Sequence, residues 1–175
     1  LCFLSYAQDF SNKGKDFWVA YGYHERMIQD QQPGDITGGP QKMVLYFATD
    51  QVTNITISIP GIGYTQTLTS GAAPSVLTSG TIPQTPGGQD ARLRNESTAP
   101  ENKGIHITAD RPIVAYAHIY NANVSGASIL FPTNTLGKDY YSINFDNMSN
   151  TSNANCWFYV IATDTGTTTV EITPS

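Results

Sequence analysis

Gly104-Ile105-His106-Ile107-Thr108-Ala109-Asp110-Arg111-Pro112-Ile113-Val114-Ala115-Tyr116-Ala117-His118-Ile119-Tyr120 is the stretch that decides the fold. Apolar residues recur at every second position, first Ile105 and Ile107, then Ile113, Ala115, Ala117 and Ile119. A period of two puts alternate side chains on opposite faces of a strand, whereas a helix needs a period of roughly 3.6. One face is aliphatic, and the other carries Val114, Tyr116, His118 and Tyr120. Asp110-Arg111-Pro112 interrupts the alternation, and proline has no amide to give to a ladder. The reading is a hairpin that turns at residues 109–112.

The same pattern extends outward. Residues 16–23 are aromatic-rich and extended, and residues 42–49 form a strongly apolar strand. In residues 53–59, Ile55, Ile57 and Ile59 alternate with Thr56 and Ser58. Pro60-Gly61 and Gly63 close a tight connection into residues 64–69. Further strands are read at 76–82 and 126–131, and a last hairpin at 155–163 and 168–173 around Asp164-Thr165-Gly166-Thr167. Residues 24–40 and 83–103 read as loops, the second with room for a short edge strand at Arg92, Arg94 and Glu96. Residues 147–155 read as a linker. No segment has the Ala, Leu, Glu and Lys enrichment of a stable helix. The fold class is all-β, an antiparallel sandwich of roughly eight to ten strands, with a closed barrel as the alternative. Ile57, Ile59, Ile105, Ile107, Val160 and Ile172 are expected in its core.

The chain also repeats itself. Gly14-Lys15-Asp16-Phe17-Trp18 recurs as Gly137-Lys138-Asp139-Tyr140-Tyr141. Ala48-Thr49-Asp50, leading into Thr56-Ile57-Ser58-Ile59-Pro60-Gly61, recurs as Ala162-Thr163-Asp164, leading into Val170-Glu171-Ile172-Thr173-Pro174-Ser175. The offsets are 123 and 114 residues. Two blocks in the same order at nearly the same offset indicate a duplicated unit, with residues 137–175 repeating the motifs of 14–61. The second copy stops in mid-repeat, and the first residue is Leu1, so the chain reads as a piece of a longer repetitive protein. Residues 137–175 either close the first sandwich or begin the next unit. Closure is favoured by Cys156-Trp157-Phe158-Tyr159-Val160-Ile161, which is apolar on both faces and needs cover on both. It would set Trp157 and Val160 against the 105–119 hairpin.

Charged residues make up 13 % of the 175 residues, against about 25 % in an ordinary globular chain. The net charge of −5 and the scatter of the nine basic residues argue against a nucleic-acid partner. Leu1-Cys2-Phe3-Leu4-Ser5-Tyr6-Ala7 reads as the end of a secretory signal, cleaved after Ala7, with the β-sandwich domain spanning 8–175. No stretch is long enough for a membrane-spanning helix. Cleavage would leave Cys156 alone in the mature chain, as a buried small apolar residue.

Candidate chemistry is thin. Gly14-Lys15-Asp16 lacks the glycines and following helix of a phosphate loop, so Gly14 and Gly137 are read as turn residues and the aspartate as a bond acceptor from nearby amides. Asp50 and Asp164 read as turn caps bonded to backbone amides. Neither has the dense oxygen set that calcium needs. His24-Glu25-Arg26 lacks the second histidine of a zinc-protease helix. His106 and His118 flank the predicted turn, where a hairpin would bring them near each other. No Gly-x-Ser-x-Gly elbow is present. Trp18 and Trp157 are expected in the core, whereas Tyr116, His118, Tyr120, Tyr140 and Tyr141 are the candidate exposed binding residues. No catalytic, metal or cofactor-binding residue is assigned. Asn54-Ile55-Thr56 and four similar triplets match the N-glycosylation pattern, as an Asn/Ser/Thr-rich chain does by composition.

Three segments carry a resemblance. Lys13-Gly14-Lys15-Asp16-Phe17-Trp18-Val19-Ala20-Tyr21, the stretch from Lys103 to Tyr116, and Leu130-Phe131-Pro132-Thr133-Asn134-Thr135-Leu136-Gly137-Lys138-Asp139-Tyr140-Tyr141 resemble, in order, signatures of the IgGFc-binding protein N-terminal domain family. The likeness continues through residues 162–174 and covers nearly the whole chain after Ala7. The family includes a mucus protein of animals and secreted proteins of bacteria. The resemblance implies an exported surface or secreted module with no family set of catalytic residues. The expected function is non-enzymatic adhesion or ligand binding through loops such as 29–41 and 83–103, with a protein or glycan as ligand. The alternative is a carbohydrate-binding or ancillary module of a secreted polysaccharide-degrading enzyme, which a flat row of exposed aromatic rings would favour.

Overall fold

The structure, a computed structural model, describes residues 11–22, 41–93, 100–122, 125–144 and 156–174. It is all-β. Its strands are β1 Lys13–Val19, β2 Lys42–Thr49, β3 Asn54–Ile59, β4 Tyr64–Thr69, β5 Ser75–Thr78, β6 Ile105–Tyr120 and β7 Ser125–Leu130. Among the described residues the helical pieces are single 3-10 turns at Pro60–Ile62 and Thr133–Thr135. The first of these ends on Gly63, whose φ of 64° only glycine adopts without strain. The seven strands form one antiparallel sheet in the order β4-β3-β6-β2-β5, with β1 and β7 also paired to β6.

The predicted hairpin at 104–120 is instead one strand of 16 residues. Its front half lies between β3 and β1, with Ile107 opposite both Ile57 and Phe17. Its back half lies between β2 and β7, with Ala117 opposite Leu45 and Ser128. Residues 109–112 bend the strand but do not reverse it. Residue 109 is the last to pair with β3, and pairing with β2 begins at Val114. On the other edge β1 skips from Asp16–Thr108 to Gly14–Ile113, so Lys15 alone spans the bend. The missing amide of Pro112 therefore falls where the ladder is already interrupted.

The bend preserves the alternation, so Ile105, Ile107, Ile113 and Ala115 all point to one side and are fully buried. They share a single core with Phe17, Met43, Leu45, Phe47 and Ile55–Ile59 at alternate positions. A sheet that wraps one core with a continuous strand through both halves is curled, and it is not divided into two separate sheets. The segment after β5 completes the wrap. Ser79 and Ile82 donate amides to Leu45 and Met43 carbonyls at 2.9 Å. Residues 85–89 are exposed as the predicted surface loop requires, but Ala91 and Arg92 are buried, so the segment returns into the fold there. Arg92 is held by Asp90 through Nε at 2.8 Å and Nη2 at 3.0 Å, a charge-assisted pair that offsets guanidinium desolvation.

Asp110 fixes the bend to the start of β3. It accepts bonds from the Thr53 hydroxyl at 2.5 Å, the Asn54 amide at 2.9 Å and Asn54 Nδ2 at 3.0 Å. The Thr53 hydroxyl above all, then the Asn54 amide, hold its carboxyl down from 3.8 to about 2.

Residues 156–174 form no strand among those described, contrary to the expected final hairpin. Val160 is 57 % exposed and Ile172 62 %, and Cys156 is exposed, whereas Ile57, Ile59, Ile105 and Ile107 are fully buried as expected. The reason is partnership. β1, β2, β3 and β7 occupy both edges of β6, and among the described residues no strand pairs with 156–174.

Two outcomes follow from this architecture. Ile57→Ala or Ile107→Ala lowers the unfolding free energy in urea by about 2–5 kcal/mol, while Val160→Ala stays within about 0.5 kcal/mol. Asp110→Asn destabilises the fold at neutral pH. Because the folded carboxyl sits below its ordinary value, that contribution is complete above about pH 5 and is lost as pH falls from about 4 to 2. The gap in urea midpoint between wild type and variant therefore closes over that window, and a gap unchanged at pH 2 would disprove the assignment.

Candidate functional site

Alternation that sends aliphatic residues inward sends polar and aromatic residues to the outer face of the sheet, where two clusters form. On the back half of β6, Tyr116 lies opposite Tyr46 of β2 and Ile129 of β7. His118 stacks on Tyr120 with ring centroids 4.9 Å apart and contacts Tyr46 at 5.8 Å. Val44, directly opposite His118, is buried on this face. Tyr116 and Ile129 are each 37 % exposed, and Val76 of β5 lies at the margin, 71 % exposed. Three of the five predicted binding residues, Tyr116, His118 and Tyr120, thus stand together. Tyr140 and Tyr141 are strongly exposed in the segment after the second 3-10 turn, where the Tyr140 hydroxyl donates to the Gly137 carbonyl at 2.7 Å.

The second cluster lies on the front half. His106 Nε2–H donates to Asp16 Oδ2 at 2.7 Å, and Thr133 donates its hydroxyl to Asp16 Oδ1. Trp18, the cross-strand partner of His106, stacks on the imidazole at 4.2 Å and 8°. Trp18 is therefore half-buried on the outer face, not in the core. Gly14 lies within β1, where a Cβ would fall 2.4 Å from Pro132 Cβ. The glycine's role is close approach, not the turn expected of it. Asp16 accepts from two side chains, not from the backbone amides expected. Ser58 is in register beside His106, but among the described residues no hydroxyl hydrogen-bonds that imidazole. The cluster ties β1, β6 and the Pro132-Thr133 turn together.

His106 and His118 do not meet, because they sit on opposite halves of one strand. The Asp50 carboxylate accepts from its own backbone amide, a bond to a turn amide as expected. The Thr49 hydroxyl also holds the turn, donating to the Gln51 carbonyl at 2.6 Å and accepting from the Gln51 amide at 3.2 Å, while Asp50 pairs with Lys13 at 2.7 Å. The Lys13 ammonium holds the Asp50 carboxyl below its ordinary value. Trp157 is 44 % exposed, not in the core. Of the predicted binding loops, residues 29–40 and 94–99 lie outside those described, as does the signal-like segment 1–7. Among the described residues no group of three or more His, Cys, Asp or Glu could hold a metal ion, and no helix is long and apolar enough to cross a membrane. The sequence reading missed Tyr46 because it needs the β2–β6 register. It missed the Asp16–His106 bond because the two residues are 90 positions apart.

Together these features define an all-β module whose outer face presents aromatic side chains. Residues 126–175 match the family model described as IgGFc binding protein, which supports the resemblance over that part of the chain. The matched region includes β7 from Gly126 onward, the Pro132-Thr133 turn and residues 137–175. None of the curated proteins and none of the solved structures compared matches the chain.

The front cluster has a structural test. Gly14→Ala drives a methyl into Pro132 and lowers stability by about 1–3 kcal/mol, while Gly71→Ala, with nothing within 4 Å of its added Cβ, leaves the urea midpoint nearly unchanged. Equal effects would show that the close approach is unimportant.

Proposed function

We propose that the chain is a non-enzymatic binding module of an exported bacterial surface or secreted protein, and that it adheres to protein ligands. The family match supports a binding module that works outside the cell. The single observation that carries the reading is the outer aromatic face of Tyr46, Tyr116, His118 and Tyr120 with Ile129 beside it. Tyrosine combines a rigid apolar body with a polar tip, which is why it concentrates binding energy at protein interfaces. The reading shifts the contact surface from the loops to the sheet face.

The carbohydrate alternative draws less support. Sugar platforms need ring faces that lie open, and here His118 and Tyr120 cover one another's faces. The test is retention of the chain on immobilised extracellular proteins, immunoglobulin Fc among them, and separately on insoluble polysaccharides. A Tyr46→Ser/Tyr116→Ser double variant should keep the fold and weaken protein retention at least tenfold, about 1.4 kcal/mol. Protein retention unchanged in the variant would overturn the reading. Loss of retention on polysaccharide alone would establish the carbohydrate alternative.

A further inference from the structure

In sequence, residues 156–163 align with β2, although they form no strand among the described residues. The shared Ala-Thr-Asp that ends each places Trp157, Tyr159 and Ile161 at the positions of Met43, Leu45 and Phe47, the core-facing residues of β2. They cannot replace those residues in the first unit. Met43 and Leu45 are fully buried in a closed core, and a tryptophan and a tyrosine in their places would overpack it. Yet the same three side chains turn toward the first unit. A Cβ on Gly22 would stand 2.1 Å from Trp157 Cη2 and 2.9 Å from Tyr159 Cε1. The Tyr159 hydroxyl donates to the Ala20 carbonyl at 3.4 Å. A Cβ on Gly104 would lie 3.1 Å from Trp18 Cζ3 and 3.7 Å from Ile161 Cγ2.

We propose that Gly22, Ala20 and Gly104 floor a groove on the outside of the first unit, and that its occupant is the segment 156–163, the counterpart of β2 in the adjoining repeat. The groove takes an extended chain with large apolar side chains at alternate positions. Glycine stands at the two points where any side chain would meet the occupant or the Trp18 ring that walls it. Neighbouring repeats are thereby held by side-chain contact as well as by the connecting chain, which is the coupling that makes a repeat array stiff.

The experiment uses the full chain and hydrogen exchange read by mass spectrometry, with chymotrypsin cleavage at Trp157, Phe158 and Tyr159 as a second readout. Gly22→Val should speed exchange in residues 156–163 about tenfold and raise cleavage there. Gly71→Val, at an open position, should change neither. From the other side, a Trp157→Ala/Tyr159→Ala variant should speed exchange at residues 20–22 while β3 and β4 keep their protection. Should Gly22→Val fail to fold, the double variant decides. Unchanged exchange at residues 20–22 in the double variant, or unchanged cleavage in a folded Gly22→Val, overturns the proposal.

Discussion

Strand β6 must satisfy hydrogen-bonding groups on two edges over 16 residues, and the rest of the sheet is arranged to do so. No single neighbour spans it. β3 and β2 share one edge in succession, and β1 and β7 share the other. The gap on the first edge falls at the link between β2 and β3, where Asp110 reaches across to Thr53 and Asn54. The gap on the second edge falls at Lys15. Because the bend keeps the alternation in phase, one aliphatic face runs unbroken along the strand, and a single core can be shared by both halves. A bend that shifted the phase by one residue would send Ile113 and Ala115 outward and split that core.

How much of this is legible in the sequence depends on how local each signal is. β2, β3 and β4 coincide closely with their predicted ranges, because alternation and the Pro60-Gly61-Gly63 turn are local features. The hairpin at 104–120 fails for the opposite reason. Asp110-Arg111-Pro112 is a turn signal by composition, but neighbours on both sides of it keep the chain extended. Val160 and Ile172 carry as strong a strand pattern as Ile57, yet burial needs partner strands, which a pattern cannot supply. At the candidate site Tyr116, His118 and Tyr120 were legible from their shared face. Tyr46 required a register, and the burial of Arg92 required knowing that residues 91–93 return beside Tyr21.

The front cluster joins stretches far apart in the sequence. Gly14 and Asp16 lie in β1, and Pro132 and Thr133 follow β7. They touch: proline against glycine, hydroxyl against carboxylate. Between them stands His106, fixed by Asp16 and covered by Trp18. The contact ties the first strand of the sheet to the turn that follows its last. The outer aromatic face, in contrast, involves none of these residues, so the surface can vary while the unit stays closed.

Asn54 shows how one hydrogen-bonding arrangement bears on a modification of the chain. Its side chain lies between two partners, donating through Nδ2 to Asp110 and accepting from the Thr69 hydroxyl at 2.8 Å. The nitrogen that donates is the atom to which an N-linked sugar attaches. Asn54 is exposed, and a glycan on that nitrogen would leave it a single N–H, so the bond that anchors the bend of β6 through the Asp110 carboxylate would rest on that one remaining hydrogen.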